Sequence, residues 1–167
     1  MINKINNLPK KEFLEVFGNV FENANWIAEK LYTQKPFKDF EDLSQKMLNI
    51  FENTNKEKQL EILNSHPDLA DKTKIGLLTQ DSNKEQSIAG LDKCSEEEFN
   101  EFKNLNIKYK ARFGFPFIYA IKNKSKIEIL NNFKERVAYD INDEFIEAIK
   151  QVKKIAYLRI NEIKKND

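Results

Sequence analysis

Apolar residues recur at intervals of three and four along most of this chain, and this spacing constrains the fold more than any other feature. Phe13, Val16, Phe17, Val20 and Phe21 share one face only if their segment is α-helical. Just 4 Gly and 4 Pro are present to interrupt such helices. We therefore predict an all-α bundle of about eight helices. The predicted helices begin at or near Pro9, Asn25, Phe37, Lys56, Pro67, Ser82, Ser95, Ser125 and Asn142.

One apolar run, Phe115–Ile121, departs from helical spacing and contains Pro116. We predict an extended Phe/Pro-rich loop here, with no obvious strand partner. A buried extended segment must pair its backbone N–H and C=O groups, and a polar ligand is one candidate partner. The chain of 167 residues is long enough to bury one core, so we predict a single domain over residues 1–167.

The charges nearly cancel, with 28 Lys and Arg against 27 Asp and Glu. Nucleic-acid binding usually needs a clustered basic surface, so we expect no nucleic-acid partner. No apolar run approaches the roughly 20 residues of a membrane helix, and the amino terminus does not resemble a signal peptide. We therefore expect no membrane association and a cytoplasmic location.

The inventory of metal-binding and nucleophilic residues is small. The chain has one histidine, His66, and one cysteine, Cys94, so we expect neither a metal site nor an intrachain disulfide. Cys94 lies beside acidic residues, which disfavours a reactive thiolate. No glycine-rich phosphate loop is present. An enzyme with this sequence is expected to work without a cofactor.

His66 stands between Ser65 and Pro67. Proline restricts the residue before it and favours the first position of a helix, so we predict a helix beginning at Pro67 with His66 near its N-cap. The positive end of that helix would disfavour the imidazolium, and a neutral imidazole can act as a general base. The alternative is a structural histidine next to a cap or at the surface.

Ser82 and Glu85 form the S-x-x-E pattern of a capping box, in which both side chains bind helix amides. The pattern also occurs at Ser95/Glu98 and at Ser125/Glu128. Capping is therefore the favoured interpretation for any one of the three pairs, and a functional carboxylate at Glu85 is the alternative.

In the last helix, Arg159 falls on the arc of apolar residues that faces the core, by the rule of about 100° per residue. A buried guanidinium needs either a protein carboxylate or an anionic ligand, and the sequence leaves both open. For Phe113, Phe115 and Phe117, packing in the core is the favoured interpretation and contact with a substrate is the alternative.

Three segments in order, 66–70, 78–91 and 109–118, closely resemble motifs of the OHCU decarboxylase family, which acts on 2-oxo-4-hydroxy-4-carboxy-5-ureidoimidazoline (OHCU) in urate degradation. They contain His-Pro-Asp-Leu-Ala, Ser-x-x-Glu-Gln and Arg-Phe-Gly-Phe-Pro-Phe-Ile. The resemblance extends to 25–28 and 156–159, and so covers nearly the whole chain. One departure is Asp71, where the family often has glycine; we expect a surface change.

The resemblance implies an all-helical homodimeric carboxy-lyase that converts OHCU to (S)-allantoin without metal or organic cofactor. It implies that His66 and Glu85 are catalytic. The substrate-binding residues that it implies are Pro67, Ser82, Gln86, Phe115, Phe117, Ile118, Tyr119, Ala120, Ile121 and Arg159.

The residue types suit that chemistry. Loss of CO₂ leaves an electron pair on carbon, which the adjacent C=N/C=O system must hold until a proton arrives on one face. An imidazole and a carboxylate can manage that proton, and a guanidinium can steady the developing charge. Two alternatives are a non-catalytic helical interaction module and an enzyme acting on a related ureido-imidazoline.

Overall fold

The computed structural model describes residues 2–71 and 78–166. Within these residues all regular structure is helical and no strand occurs, which confirms the predicted all-α class. The α-helices of the described ranges are α1 Ile2–Asn7, α2 Lys10–Phe17, α3 Asn25–Tyr32, α4 Phe40–Glu52, α5 Lys56–Ser65, α6 Gln80–Ile88, α7 Glu96–Phe113, α8 Lys126–Arg136 and α9 Ile141–Asn166. A short 3-10 helix, Leu91–Lys93, follows α6.

Most predicted helices are present, with two differences. Helix α1 was not predicted, because its six residues include only two apolar side chains and Pro9 suggested a later start. The helix predicted to begin at Pro67 is wrong over the residues that can be compared, since 67–71 contain no helix. Residues 72–77 of that predicted helix lie outside the described ranges. Nowhere in the described ranges is a helix both long and apolar enough to cross a membrane.

The chain divides into two compact units, and each is described by itself. The first unit comprises Met1–Ser65 and Val152–Asp167. Phenylalanine rings form much of its core: the centroids of Phe13 and Phe17 are 4.7 Å apart, and those of Phe21 and Phe51 are 5.1 Å apart. The single domain over 1–167 stays a prediction.

The second unit, His66–Gln151, is built around an aromatic cluster of Tyr109, Phe113, Phe115, Phe117 and Phe133. The rings of Phe117 and Phe133 stack with centroids 3.9 Å apart and planes 13° from parallel. The ring of Tyr109 meets Phe117 edge-on, at 5.5 Å and 81°. These contacts hold the extended segment that contains Phe115 and Phe117 against α7 and α8.

Two of the three S-x-x-E pairs are capping boxes, as predicted. The Ser95 hydroxyl accepts from the Glu98 N–H while the Glu98 carboxylate accepts from the Ser95 N–H, and Ser125 and Glu128 repeat the arrangement. A hydrogen bond from Lys126 to Glu98 links the two caps and holds the pKa of the Glu98 carboxyl below its usual range. Helices α7 and α8 therefore have starting points that their own sequence specifies.

The Ser125 cap allows a stability prediction. Ser125→Ala should lower the free energy of unfolding by about 1 kcal/mol, because the Glu128 N–H loses its acceptor, whereas Ser125→Gly should cost only a few tenths. Urea unfolding followed by far-UV circular dichroism measures both. A Ser125→Ala variant as stable as the wild-type protein would show that the hydroxyl does not stabilise α8.

Candidate active site

His66 lies directly after the last residue of α5 and is 9% exposed. The following residues form turns rather than a helix. The predicted N-cap position of His66 is therefore wrong, and so is the argument that a helix beginning at Pro67 keeps the imidazole neutral. The local preference of Pro67 is overridden by tertiary hydrogen bonds to the backbone of the next three residues.

Gln86 makes two of these hydrogen bonds. Its Oε1 accepts from the Ala70 N–H at 3.1 Å, and its Nε2 donates to the Asp68 carbonyl at 3.2 Å. Gln86 is 7% exposed, and at so buried a residue an unpaired side-chain amide would be costly. The His66 segment is thereby held to α6.

Helix α7 makes the other contacts with this turn. Asn106 Nδ2 donates to the Leu69 carbonyl at 3.0 Å, and Lys110 Nζ lies 2.6 Å from Asp68 Oδ2. Ala70 adopts a φ of 54°, a left-handed conformation that is unfavourable for a residue with a Cβ atom. Such a conformation persists when several contacts determine it together. The next residue, Asp71, is half-buried rather than fully exposed.

Helix α6 presents Ser82 and Glu85. Its N-cap is Thr79, whose hydroxyl accepts from the Ser82 N–H at 3.3 Å. Ser82 is thus the third residue of the helix and Glu85 lies in its second turn, so capping is the wrong interpretation for this pair. Ser82 is 4% exposed and Glu85 is half-buried. The third S-x-x-E pair therefore does not cap its helix, and it lies on the helix that Gln86 ties to the His66 segment.

The segment Phe115–Ile121 contains no helix and is largely buried, and we keep for it the name extended segment, after the conformation predicted from the sequence. Two of its backbone groups are paired by protein side chains rather than by a ligand. Arg136 Nη1 donates to the Ile118 carbonyl at 2.7 Å, and Gln151 Oε1 accepts from the Ala120 N–H at 3.0 Å.

Arg159 belongs to the first unit, whereas His66, Pro67, Ser82, Glu85, Gln86 and the extended segment belong to the second. Its Nη2 lies 3.0 Å from Glu22 Oε1, and its Nη1 lies 3.3 Å from the Val20 carbonyl. The side chains of Arg159 and Glu22 are only 6% and 1% exposed. Of the two partners that the sequence allowed, a protein carboxylate is the one observed.

The described part of the chain contains no group of three or more His, Cys, Asp or Glu residues that could hold a metal ion. Burial raises the pKa of the Cys94 thiol, which disfavours the thiolate form there.

Comparison with known proteins decides the family. The model of the OHCU decarboxylase family matches residues 6–161. The chain belongs to the OHCU decarboxylase family. It is 35% identical over 162 residues to the 2-oxo-4-hydroxy-4-carboxy-5-ureidoimidazoline decarboxylase of Halalkalicoccus jeotgali, covering 97% of this chain and 90% of that protein.

Another relative is longer, and two solved structures have a similar fold. A uric acid degradation bifunctional protein from Bacillus sp. (strain TB-90) is 38% identical over 162 residues, and the match covers 97% of this chain but 32% of that protein. A crystal structure of OHCU decarboxylase in the presence of (S)-allantoin superposes with a TM-score of 0.72 at 25% identity, covering 87% of this chain and 94% of the other. A crystal structure of (S)-allantoin synthase gives a TM-score of 0.79 at 26% identity, covering 98% and 54%.

Several side chains that hold the candidate site elements in place were not predicted from the sequence. Asn106 and Lys110 hold the His66 turn, while Arg136 and Gln151 hold the extended segment. Asn106 carried a usable signal, because a polar residue lay on the apolar stripe of α7. Lys110, Arg136 and Gln151 carried none, since Lys110 pairs with the Asp68 carboxylate and the other two bind backbone groups, all distant in sequence.

The two hydrogen bonds of the Gln86 side chain, one accepted and one donated, allow a second prediction. Gln86→Glu keeps an acceptor for the Ala70 N–H but cannot donate to the Asp68 carbonyl when ionised, so the turn behind His66 should loosen. We expect kcat/KM for OHCU to fall about 10²-fold, the size of effect that misplacement by about 1 Å can cause. The exposed amide Gln80 on the same helix provides the control, Gln80→Glu. Equal kcat/KM in the two variants would contradict a positioning role for Gln86.

Proposed function

We propose that this chain decarboxylates OHCU to (S)-allantoin, the reaction implied by its family. The observation that carries the proposal is the Gln86 amide, which joins the turn after His66 to the helix that bears Ser82 and Glu85. The two candidate proton-handling groups thus lie on elements that are bonded to each other within one unit. General acid–base catalysis requires groups held in this way.

In the proposed reaction, the bond between the ring carbon and the carboxylate breaks and CO₂ leaves. The electron pair of the broken bond enters the adjacent C=N bond, so that the two ring carbons become joined by a C=C bond. One proton is then delivered to one face of the ureido-bearing carbon, while the hydroxyl gives up its own proton and becomes the ring carbonyl. His66 and Glu85 orient the carboxylate and hydroxyl of the substrate and manage that proton. One-sided delivery gives (S)-allantoin, whereas the uncatalysed product is racemic.

The remaining residues would bind and enclose the substrate. Phe115 and Phe117 are 3% and 1% exposed, so they can exclude water from the reacting carbon. Ser82 and the backbone of the extended segment can hydrogen-bond the ring and ureido groups. Arg159 is proposed to bind an anionic or carbonyl group of the substrate while Glu22 holds the guanidinium. The homodimer is likewise a proposal, which sedimentation equilibrium tests.

The deciding experiment follows circular dichroism of freshly prepared OHCU with and without the protein. Rapid appearance of optically active allantoin supports the proposal. Decay at the blank rate to a racemate rejects it and leaves the helical interaction module. Faster turnover of an analogous ureido-imidazoline than of OHCU would instead identify an enzyme with a related substrate.

A further inference from the structure

A buried ion pair lies behind the extended segment of the second unit. Arg136, the last residue of α8, and Glu144, in the first turn of α9, have side chains 2% and 0% exposed. Arg136 Nη2 lies 2.5 Å from Glu144 Oε1, and Arg136 Nε donates to both carboxylate oxygens, at 3.0 and 3.2 Å. The Tyr109 hydroxyl also donates to Glu144 Oε1.

The position of each charge suits the pair. A cation at the end of α8 and an anion at the start of α9 both interact favourably with the helix dipoles. Burial and the neighbouring Glu144 raise the pKa of the Tyr109 hydroxyl, so this group remains a hydrogen-bond donor. The bonds to Glu144 fix the orientation of the Arg136 guanidinium, which also makes a contact outside the ion pair.

That further contact is with the extended segment. Arg136 Nη1 donates to the Ile118 carbonyl at 2.7 Å, and the guanidinium carbon lies 4.5 Å from the centroid of the Phe117 ring. The Ile118 carbonyl and the Tyr119 N–H belong to the same planar trans peptide, so they point in opposite directions. Arg136 therefore determines which way the Tyr119 N–H points.

The next peptide is held as well. Gln151 Oε1 accepts from the Ala120 N–H at 3.0 Å, which orients the Tyr119 carbonyl in the same manner. Among the residues that the structure describes, neither the N–H nor the carbonyl of Tyr119 has a hydrogen-bond partner. Tyr119 is half-buried, between neighbours that are buried. Its backbone groups are therefore oriented by their surroundings and available to bind a ligand.

We propose that Arg136 and Glu144 are positioning residues, which orient the Ile118–Tyr119 peptide so that the Tyr119 N–H can donate to a carbonyl of the substrate. This inference rests on the proposed decarboxylase function. It also gives the buried ion pair a role. The pair orients the Tyr119 N–H before the substrate binds. A preorganised donor stabilises charge that develops on a carbonyl oxygen without reorganising during the reaction.

The test uses Arg136→Lys, which keeps a positive charge near Glu144 but loses the planar fork that reaches both Glu144 and Ile118. At a temperature where far-UV circular dichroism shows the variant folded, kcat for OHCU should fall about 10²-fold, with a smaller change in KM. Arg112→Lys is the matched control, because Arg112 is exposed and donates to the Tyr139 carbonyl, outside the segment. It should retain wild-type kinetics.

A second readout follows the backbone directly. In protein labelled with ¹⁵N-tyrosine, (S)-allantoin should shift the Tyr119 amide resonance in the wild type and in Arg112→Lys, but much less in Arg136→Lys. If Arg136→Lys does not fold, Tyr109→Phe, which removes a single donor to Glu144, should show a smaller loss in both readouts.

The outcomes separate the two proposals. No turnover by the wild type rejects the proposed function, and this inference with it. An active wild type with unchanged kcat and an unchanged Tyr119 response in the folded Arg136→Lys or Tyr109→Phe variant overturns the inference alone. Loss of activity with a normal Tyr119 response also overturns it, since the pair would then act elsewhere.

Discussion

His66→Ala is expected to lower kcat for OHCU by at least ~10²-fold while leaving the helices intact, the effect of removing a general acid or base. His66 is the only histidine in the chain, so no other imidazole can replace it. Its backbone segment is held by Gln86, Asn106 and Lys110. Loss of the imidazole should therefore affect the reaction more than the fold.

The measurement is the initial rate of appearance of optically active allantoin, with far-UV circular dichroism of the protein as the check on folding. Asn64→Ala, an exposed position in the same stretch, is the control and should keep wild-type kcat. Glu85→Gln, which changes charge but little shape, identifies the proton donor by comparison. The variant that gives the more racemic product has lost the group that delivers the proton. Full activity in His66→Ala would reject the catalytic assignment.

Arg159→Met is expected to destabilise the protein by about 3–5 kcal/mol, because it breaks a buried ion pair by removing one of its two charges. The Glu22 side chain is 1% exposed and its Oε1 lies 3.0 Å from Arg159 Nη2. The double variant Glu22→Leu/Arg159→Met removes both charges and should recover most of that stability, since apolar replacements of buried pairs are often neutral. Urea unfolding measures all three proteins.

The double variant also tests the substrate role of Arg159. If it is stable but inactive, the guanidinium is needed by the reaction; if it is stable and active, the substrate-binding assignment is wrong. The control is Lys58→Met in the same unit, where Lys58 and Glu61 are 48% and 56% exposed. That change should cost less than about 1 kcal/mol. A loss as large as that of Arg159→Met would mean that burial does not explain the effect.

Features that depend on a few neighbouring residues could be predicted from the sequence. Helical spacing predicted the all-α class, and Ser95 and Ser125 specify the starts of α7 and α8 through bonds to residues three positions away. The same pattern failed at Ser82, because Thr79, three residues earlier, provides the cap. Local chemistry allowed both starts, and only the folded chain selected one of them.

Features that depend on distant partners could not be predicted. Pro67 favours a helix start locally, yet bonds from Gln86 and Asn106, up to 37 residues away, hold the following turn in another conformation. The position of Arg159 on the apolar face of its helix predicted that it needs an anionic partner. The sequence could not identify that partner as Glu22, which lies 137 residues earlier in the chain. The sequence alone determined which side chains can transfer a proton or carry a charge, and where most helices begin. Tertiary structure decided their partners, because hydrogen bonds and ion pairs depend on distance in space.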